Sequence, residues 1–516
     1  MPADLVYTNG TVLTMDDAVP TAETVAVSNG RFTRVGRHED LKEEIGPGTE
    51  VIDLAGATLV PGFDDNHTHP IFFGRSLRQI SAKPDDAASI AEIAATFRRA
   101  AAAPAPAAHP WLIGRGYDDT RLAERRHPDR HDLDPATGGR PALLSRTCGH
   151  IAVANSAALA LAGIGARTPD PQGGIIDRDA AGEPTGVLRE TAIELVRACI
   201  PRATVSEIKD DLRAAAKAFR AYGITSVAEA MLSSADEFQA YQELARDGEL
   251  GVRVYLMVMI DDLLDGFASL GIRTGWGDDW LRVGPAKLFQ DGSGGGRTAA
   301  MFDPYPGEPD NYGIAIWSQE ELDEKFGRAH RLGFQLCAHA IGDRAITMVL
   351  NAYEKALAAD PRPDHRHRIE HCGMCTPEIL DRMARHRFIA VPQPNFIYEL
   401  GDSYLRNFTP EQIALAYPCR AWFDRGIVAV GSSDVPVVGC DPLLGMRTAV
   451  NRLTRDGQQM APEQGVTPLE ALRMFTRHGA FASFQENRKG RIAPGLLADV
   501  ANLPRFLGSL TNLVGS

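Results

Sequence analysis

The sequence predicts an α/β protein: a TIM-type (β/α)8 barrel with a small β-sandwich domain built from both chain ends and a long insertion after the first barrel strand. From about residue 205 onward, helix-like and strand-like segments alternate, which is typical of βα units around a parallel sheet. Both chain ends instead contain short strand-like runs separated by turn signals. The 516 residues are also enough for one large barrel and a smaller domain.

Eight short apolar runs are candidates for the barrel strands, and helix-length segments separate most of them. The runs are 57–63, 224–228, 252–258, 285–292, 335–339, 367–371, 388–392 and 427–434. Helices are expected at 87–103 and 205–222. We therefore expect the first strand to run out into His67-Thr68-His69, with a long excursion before the second.

The domain boundaries follow from this pattern. The small β-domain is expected to combine residues 1–58 with 466–516, and the barrel to cover 59–465 with an insertion at about 75–215. Within the first part, Asn9-Gly10 and Asn29-Gly30 each lie between two strand-like runs, a pattern that favours a tight hairpin.

Composition excludes several classes of partner. The chain has 54 basic and 67 acidic residues, and the resulting charge of −13 argues against nucleic acid or an anionic membrane as the main partner. Seven scattered cysteines do not suggest a disulfide framework. Neither a signal peptide nor an apolar run of about 20 residues is evident. We expect a soluble cytoplasmic protein that acts on a small molecule, with a homodimer as the default assembly.

The first barrel strand carries the pattern that organises the chain. Residues two apart on a strand point the same way, so His67 and His69 can reach one metal ion together. Taken alone, a His-X-His pair is more often a surface or hydrogen-bonded pair than a metal site. Four further strands that end in a suitable residue favour the metal interpretation.

Those further residues lie where the chemistry of a barrel gathers, at the carboxyl ends of strands. Each has an ordinary alternative: a histidine there is often only hydrogen-bonded, an aspartate can cap a turn, and a buried lysine can pair with an acid. The set as a whole is much less probable by chance than any member. It consists of Lys287, His339, His371 and Asp434.

These residue types suit metal-assisted hydrolysis. Nitrogen and oxygen ligands favour zinc or a similar divalent ion, which lowers the pKa of a bound water towards about 7. Asp434 can bind the metal, accept the water proton and deliver it to a leaving amine. Desolvation and nearby cations favour a neutral lysine, so Lys287 can react with CO₂ to form a carbamate that bridges two metals.

The motifs resemble the amidohydrolase superfamily, in a branch resembling N-substituted formamide deformylase. The resemblance covers nearly the whole chain and rests on the segments 61–69, 287–293, 339–344, 368–371 and 431–434. It implies two metals per chain, one held by His67, His69 and Asp434. It further implies that His339 and His371 hold the second, with carboxylated Lys287 as the bridge.

Alternatives remain at several positions. Glu190 and Glu229 are rivals to Lys287 as the bridging group. His150 and Arg297 are candidates for substrate binding, although a structural hydrogen bond and a simple turn, respectively, explain them about equally well.

The expected activity is hydrolysis of a C–N bond, of amide, N-acyl or N-formyl type, by metal-bound hydroxide with Asp434 as general base and acid. The alternatives are a hydrolytic deaminase or a cyclic-amide hydrolase with the same site, and a non-catalytic barrel that only binds ligands.

Overall fold

The computed structural model describes residues 2–84, 86–103, 110–119, 121–146, 151–171 and 174–503. The chain divides into two compact units, one formed by Met1–Phe73 with Ile208–Ser516 and the other by Gly74–Glu207. Among the described residues, no helix has the length and apolar character needed to span a bilayer.

The described residues contain strands throughout both units. Those before residue 70 are β1 (Leu5–Thr8), β2 (Thr11–Leu13), β3 (Thr21–Ala22), β4 (Thr24–Ser28), β5 (Arg31–Gly36), β6 (Glu50–Asp53), β7 (Thr58–Pro61) and β8 (Phe63–Thr68). Those between residues 80 and 190 are β9 (Ile80–Ser81), β10 (Leu112–Tyr117), β11 (Ala142–Arg146), β12 (Ile151–Ala154), β13 (Gly174–Arg178) and β14 (Pro184–Glu190). The remainder are β15 (Ile224–Leu232), β16 (Arg253–Met259), β17 (Leu281–Phe289), β18 (Leu336–Ala340), β19 (Arg368–His371), β20 (Ile389–Val391) and β21 (Val500–Leu503).

Helices separate most of the strands. The first six are α1 (Pro70–Arg78), α2 (Ile90–Ala102), α3 (Arg130–Leu133), α4 (Ser156–Leu161), α5 (Ala192–Arg197) and α6 (Val205–Ala221). The next six are α7 (Ala235–Arg246), α8 (Ile260–Ser269), α9 (Gln319–Arg331), α10 (Asp343–Ala359), α11 (Pro377–His386) and α12 (Pro394–Asn407). The last five are α13 (Pro410–Ala414), α14 (Cys419–Asp424), α15 (Pro442–Asn451), α16 (Pro468–Met474) and α17 (Arg477–Ala482).

Seven parallel strands form a nearly closed barrel in the order β20-β19-β18-β17-β16-β15-β8. The eighth expected strand, residues 427–434, is not a regular strand. It joins β20 through a single parallel bridge, between Ala390 and Ala429. On its other side the Asp434 N–H donates to the His67 carbonyl at 2.7 Å. The segment therefore lies between the last and first barrel strands without forming a continuous ladder with either.

The expected first strand, 57–63, is in fact two strands with different partners. Thr58–Pro61 (β7) pairs with β2 and β21, whereas Phe63–Thr68 (β8) opens the barrel beside β15. Gly62 lies between them, and a Cβ there would approach the Thr225 hydroxyl oxygen to 2.2 Å. The glycine therefore allows the chain to pass from one sheet to the other in close contact with β15.

Two four-stranded sheets accompany the barrel, in the orders β5-β4-β1-β6 and β21-β7-β2-β3. The hairpin expected at Asn29-Gly30 is confirmed, because β4 and β5 pair antiparallel across it. The hairpin expected at Asn9-Gly10 is wrong: β1 and β2 belong to different sheets. The local turn signal is real, but each strand pairs with segments farther along the chain. One apolar cluster includes Val25 and Leu59 together with Ile492 and Leu496, so it draws on both ends of the chain.

The second unit has a six-stranded sheet in the order β13-β14-β12-β11-β10-β9. The helix expected at 87–103 is confirmed as α2, whose Ser89 side chain accepts a hydrogen bond from the Glu92 N–H and caps its start. Phe97 of α2 is fully buried in an apolar cluster with Tyr117.

A chain of buried histidines lies at the amino ends of the barrel strands. The Leu336 N–H donates to His367 Nδ1 at 3.0 Å, His367 Nε2 donates to His330 Nδ1 at 3.1 Å, and His330 Nε2 donates to the Asp360 carbonyl at 2.8 Å. Both ends of this chain are fixed, since a backbone N–H only donates and a carbonyl only accepts. Both imidazoles are therefore held neutral. Burial lowers the pKa of His367 well below its usual value, and the pKa of His330 is also lowered.

We predict that His367→Gln changes how stability depends on pH. The pKa of His367 is lower in the folded than in the unfolded chain, so its contribution is present above about pH 6.5 and is lost as the pH falls. From about pH 7.5 to pH 5.5 the unfolded wild type gains about 1.4 kcal/mol from protonating this one residue. The variant is expected to have a lower free energy of unfolding than the wild type at pH 7.5. At pH 5.5 this difference should be smaller by about 1.4 kcal/mol. Urea unfolding at both pH values measures the difference. If the free energy of unfolding fell by the same amount in both proteins between pH 7.5 and pH 5.5, the prediction would be wrong.

Candidate metal centre

The first barrel strand brings two histidines to the end of the barrel. His67 is the fifth residue of β8, and His69 follows that strand directly. Asp434 Oδ1 lies 3.5 Å from His67 Nε2 and 3.1 Å from His69 Nε2. One ligand atom from each of the three residues lies within 4.8 Å of the others. This spacing suits three ligands around one ion.

Two neighbouring strands supply a second pair of histidines. His339 is the fourth residue of β18, and His371 is the last residue of β19. Their ring centroids are 4.3 Å apart, and the His371 ring is 4.9 Å from that of His67. The barrel therefore brings the four histidines expected at strand ends close to Asp434.

Three of the four imidazoles have one ring nitrogen engaged by an acceptor, which leaves the other nitrogen with a free lone pair. A carbonyl or carboxylate oxygen can only accept, so the ring must donate. Such a partner fixes the orientation of a metal-binding histidine and selects its tautomer. The bonds run from His67 Nδ1 to Glu370 Oε2 (2.5 Å), from His371 Nδ1 to Gln393 Oε1 (2.6 Å) and from His339 Nε2 to the Gly292 carbonyl (2.9 Å).

The electrostatics of the site favour ligand forms of these residues. Burial, followed by the charge of Lys287, lowers the pKa of His67 and of His339 to about 4. Burial and the neighbouring His339 lower the pKa of His371 well below its usual value. Burial opposes ionisation of Asp434, but its bond to His69 and the nearby His67 hold its pKa below the ordinary value. At neutral pH His67, His339 and His371 are therefore neutral and Asp434 is a carboxylate, the states in which these groups bind metals.

Lys287 lies in the interior of the barrel beside these histidines. It is the third residue from the end of β17, and its side chain is fully buried. Among the described residues its Nζ finds no hydrogen-bond partner, and it lies 4.8 Å from the centre of the Phe289 ring. A buried ammonium without a hydrogen-bond partner is costly.

The two rivals of Lys287 differ in their positions. Glu229 belongs to β15, and its Oε1 lies 3.8 Å from His69 Nδ1 while the Tyr241 hydroxyl donates to its Oε2 at 2.7 Å. Burial raises the pKa of Glu229 to about 7. Glu190 is the exposed last residue of β14 and belongs to the other compact unit. Glu229 thus adjoins His69 on the β15 side of the site.

Of the two candidates for substrate binding, only Arg297 lies in the part of the chain that the structure describes. The side chain of Arg297 donates to Asn407 Oδ1 at 3.1 Å and to Glu308 Oε1 at 2.5 Å, so its guanidinium already has protein partners. His150 lies outside the described residues.

Asp291 is a buried residue that the sequence analysis did not single out, although it lies only two residues after the end of β17. Its carboxylate accepts hydrogen bonds from the N–H groups of Ala300 (3.0 Å), Ile341 (3.0 Å) and Gly342 (2.8 Å). Burial raises its pKa to about 7 even though these N–H groups oppose the shift. Because Oδ1 also lies 3.4 Å from His339 Nε2, Asp291 ties two loops to the end of β18.

The fold and this cluster define a class: barrel enzymes that gather histidines and an aspartate at strand ends to hold a metal. Residues 50–508 match the model of the amidohydrolase family described as Amidohydro_3, and the chain belongs to that family.

Relatives cover nearly all of the chain. It is 32% identical over 503 residues to the putative amidohydrolase YtcJ of Bacillus subtilis, a match that covers 96% of this chain and 93% of the relative. It is 30% identical over 513 residues to N-substituted formamide deformylase of Arthrobacter pascens, covering 97% and 93%. An uncharacterized metal-dependent hydrolase from Pyrococcus furiosus superposes with a TM-score of 0.81 at 28% identity, covering 97% of this chain and 98% of that one. The chain is therefore a metal-dependent hydrolase that acts on carbon–nitrogen bonds.

We predict that Asp291→Ala destabilises the protein strongly. The variant leaves three buried backbone N–H groups without their acceptor, at about 1–3 kcal/mol for each group. Thermal unfolding followed by circular dichroism measures the effect. Asp303→Ala, at an exposed position in the loop after β17, is the matched control and should change stability by less than about 0.5 kcal/mol. Equal melting of the two variants would show that Asp291 does not hold the loops.

Proposed function

We propose that the chain hydrolyses an amide of the N-acyl or N-formyl type at a divalent metal centre formed by His67, His69, Lys287, His339, His371 and Asp434. The observation that carries the proposal is the convergence of four histidines and an ionised carboxylate around a buried lysine amine that lacks a hydrogen-bond partner among the described residues.

The donor set fits zinc or a similar ion. His67, His69 and Asp434 would hold one ion, and His339 and His371 a second. His67, His339 and His371 would each bind through the ring nitrogen left free by the hydrogen bond of the other. A divalent ion acidifies water and polarises a carbonyl oxygen, which is the chemistry it supplies to hydrolysis.

Lys287 fits the role of a bridge after carboxylation. The neutral amine attacks CO₂, a C–N bond forms, and one proton leaves to solvent, so an amine that would otherwise carry a positive charge becomes an anionic carbamate. This reverses the unfavourable charge balance that a buried ammonium creates among the histidines. Glu229 is the less favoured bridge, because its Oε2 already accepts the Tyr241 hydroxyl.

We assign proton transfer to Asp434. It is ionised, nearly buried and in contact with both histidines of the first strand. In hydrolysis it would accept a proton from the attacking water and pass it to the amide nitrogen as the C–N bond breaks, which yields an acid and an amine. The similarity to N-substituted formamide deformylase favours a formyl or other small acyl group.

The same proposal includes the domain organisation. We infer that residues 1–58 and 466–516 form one small β-sandwich from the two four-stranded sheets, that 59–465 form the barrel, and that about 75–215 form its insertion. The apolar cluster that joins Val25 with Ile492 and Leu496 supports the sandwich.

We predict that the zinc-loaded protein releases amine and acid in equal amounts from N-formyl or N-acetyl amines. Asp434→Asn should lower kcat by about 10²–10⁴-fold, the range for loss of a general acid–base residue. Amine and acid are quantified by chromatography with cyclic amides and amino-heterocycles tested in parallel. Release of ammonia would favour the deaminase alternative, and ring opening the cyclic-amide alternative. Inactivity towards all three groups would count against the proposal.

We predict that the wild type binds two zinc ions per chain and that Lys287→Ala binds one or none. Plasma mass spectrometry measures the metal, and labelled bicarbonate should give a carbamate signal only in the wild type. Lys355→Ala, which removes an exposed lysine paired with Asp323, is the matched control and should keep both ions. One ion in wild type and Lys287→Ala alike would assign Lys287 a structural role.

A further inference from the structure

We infer that Glu370 and Arg368, on the sixth barrel strand, are positioning residues that hold His67 in its metal-binding tautomer and orientation. The inference rests on the metal centre proposed above and adds to it two residues that are not ligands. It is carried by a continuous set of hydrogen bonds that runs from β19 to β8.

The two residues form a fully buried ion pair. Arg368 and Glu370 are two residues apart on β19, so their side chains project to the same face of the strand, and both are 0% exposed. Arg368 Nε donates to Glu370 Oε1 at 2.6 Å, and its Nη2 donates to Oε2 at 3.0 Å. This two-pronged geometry fixes the plane of the carboxylate.

The carboxylate in turn fixes the His67 ring. Glu370 Oε2 accepts from His67 Nδ1 at 2.5 Å, while His67 Nε2 faces Asp434 at 3.5 Å. With the proton on Nδ1, the lone pair lies on Nε2 and points towards Asp434. The opposite tautomer would place a proton there and an unshared pair against a carboxylate. Glu370 therefore selects the tautomer that can bind a metal.

Arg368 also holds the backbone of β8, the strand that carries His67. Its Nη2 donates to the Asn66 carbonyl at 2.6 Å, one residue before His67. In the barrel sheet, β19 and β8 are separated by β18, β17, β16 and β15. The connection therefore crosses the barrel interior and fixes both the ring of His67 and the chain that carries it.

A purely stabilising role would not require this ion pair. Buried ion pairs seldom add net stability over apolar residues of similar size, because both charges must leave water. A carboxylate held against a ligand histidine, however, typically changes metal affinity about 10–100-fold when it is removed.

The test is zinc affinity, measured on metal-free protein by competition with a chromogenic chelator. Glu370→Gln keeps the size of the side chain but removes the charge, and its amide can turn to donate to His67 Nδ1. We expect zinc binding at the first ion to weaken about 10–100-fold. Glu370→Asp, which keeps the charge on a shorter side chain, should recover part of the loss. In nitrogen-15 spectra of labelled histidine, the His67 signal, assigned with His67→Gln, should show protonated Nδ1 in the wild type and a tautomer mixture in Glu370→Gln.

Asp64→Asn is the matched control, because Asp64 also forms a buried ion pair, with Lys489 at 2.6 Å, on the same strand as His67. It makes the same change from carboxylate to amide without touching a histidine, and the amide oxygen of an asparagine can still accept the hydrogen bond that Asp64 Oδ1 accepts from the Asn66 side chain at 2.8 Å. If Glu370→Gln does not fold, Arg368→Lys keeps the charge but cannot reach both Glu370 and Asn66, and a smaller loss of affinity is expected.

Unchanged zinc affinity in the folded variants, or an equal loss in Asp64→Asn, would overturn the inference. A wild type that binds no zinc would instead overturn the proposed metal centre.

Discussion

The structure depends on keeping several imidazoles neutral in a small buried volume. Burial disfavours a charged histidine, and it is the largest cause of the lowered pKa of His67 and of His339. Each ring that donates to an acceptor on one side keeps a lone pair on the other. Desolvation and hydrogen bonding thus produce the same result, a set of rings ready to bind a cation. The barrel achieves this by placing the rings at the ends of strands, where side chains of different strands converge.

Much of this arrangement could be predicted because it depends on residues that are close together in the sequence. The spacing of His67 and His69 follows from strand periodicity, and the positions of His339 and His371 follow from the strand-like runs that contain them. The alternation of strands and helices likewise predicted the barrel sheet, and seven of the eight expected strands contribute to it, the first through its continuation in β8.

What could not be predicted depends on partners that are distant in sequence. Asn9-Gly10 has a hairpin signal, yet β1 and β2 pair with other strands, since the choice of partner is a tertiary effect. Asp291 and Glu370 look like ordinary acids in the sequence. Their roles appear only when β17 and β19 bring them against loop N–H groups and against His67. The change of sheet at Gly62 was missed because the apolar run 57–63 continues from β7 across Gly62 to Phe63, the first residue of β8.

The irregular eighth segment has a physical explanation in the site itself. A regular strand between β20 and β8 would alternate its side chains and continue its ladder past Asp434. Instead, Asp434 has a left-handed backbone with φ of 61°, and its N–H donates to the His67 carbonyl while its carboxylate turns to His69. His69, two residues after His67, is held in the same way, because its N–H donates to the Val435 carbonyl. The seam of the barrel is therefore closed by the backbone of residues that belong to the candidate metal centre. Regular strand pairing stops where the side chains of His67, His69 and Asp434 meet, so the same backbone geometry closes the barrel and arranges the candidate site.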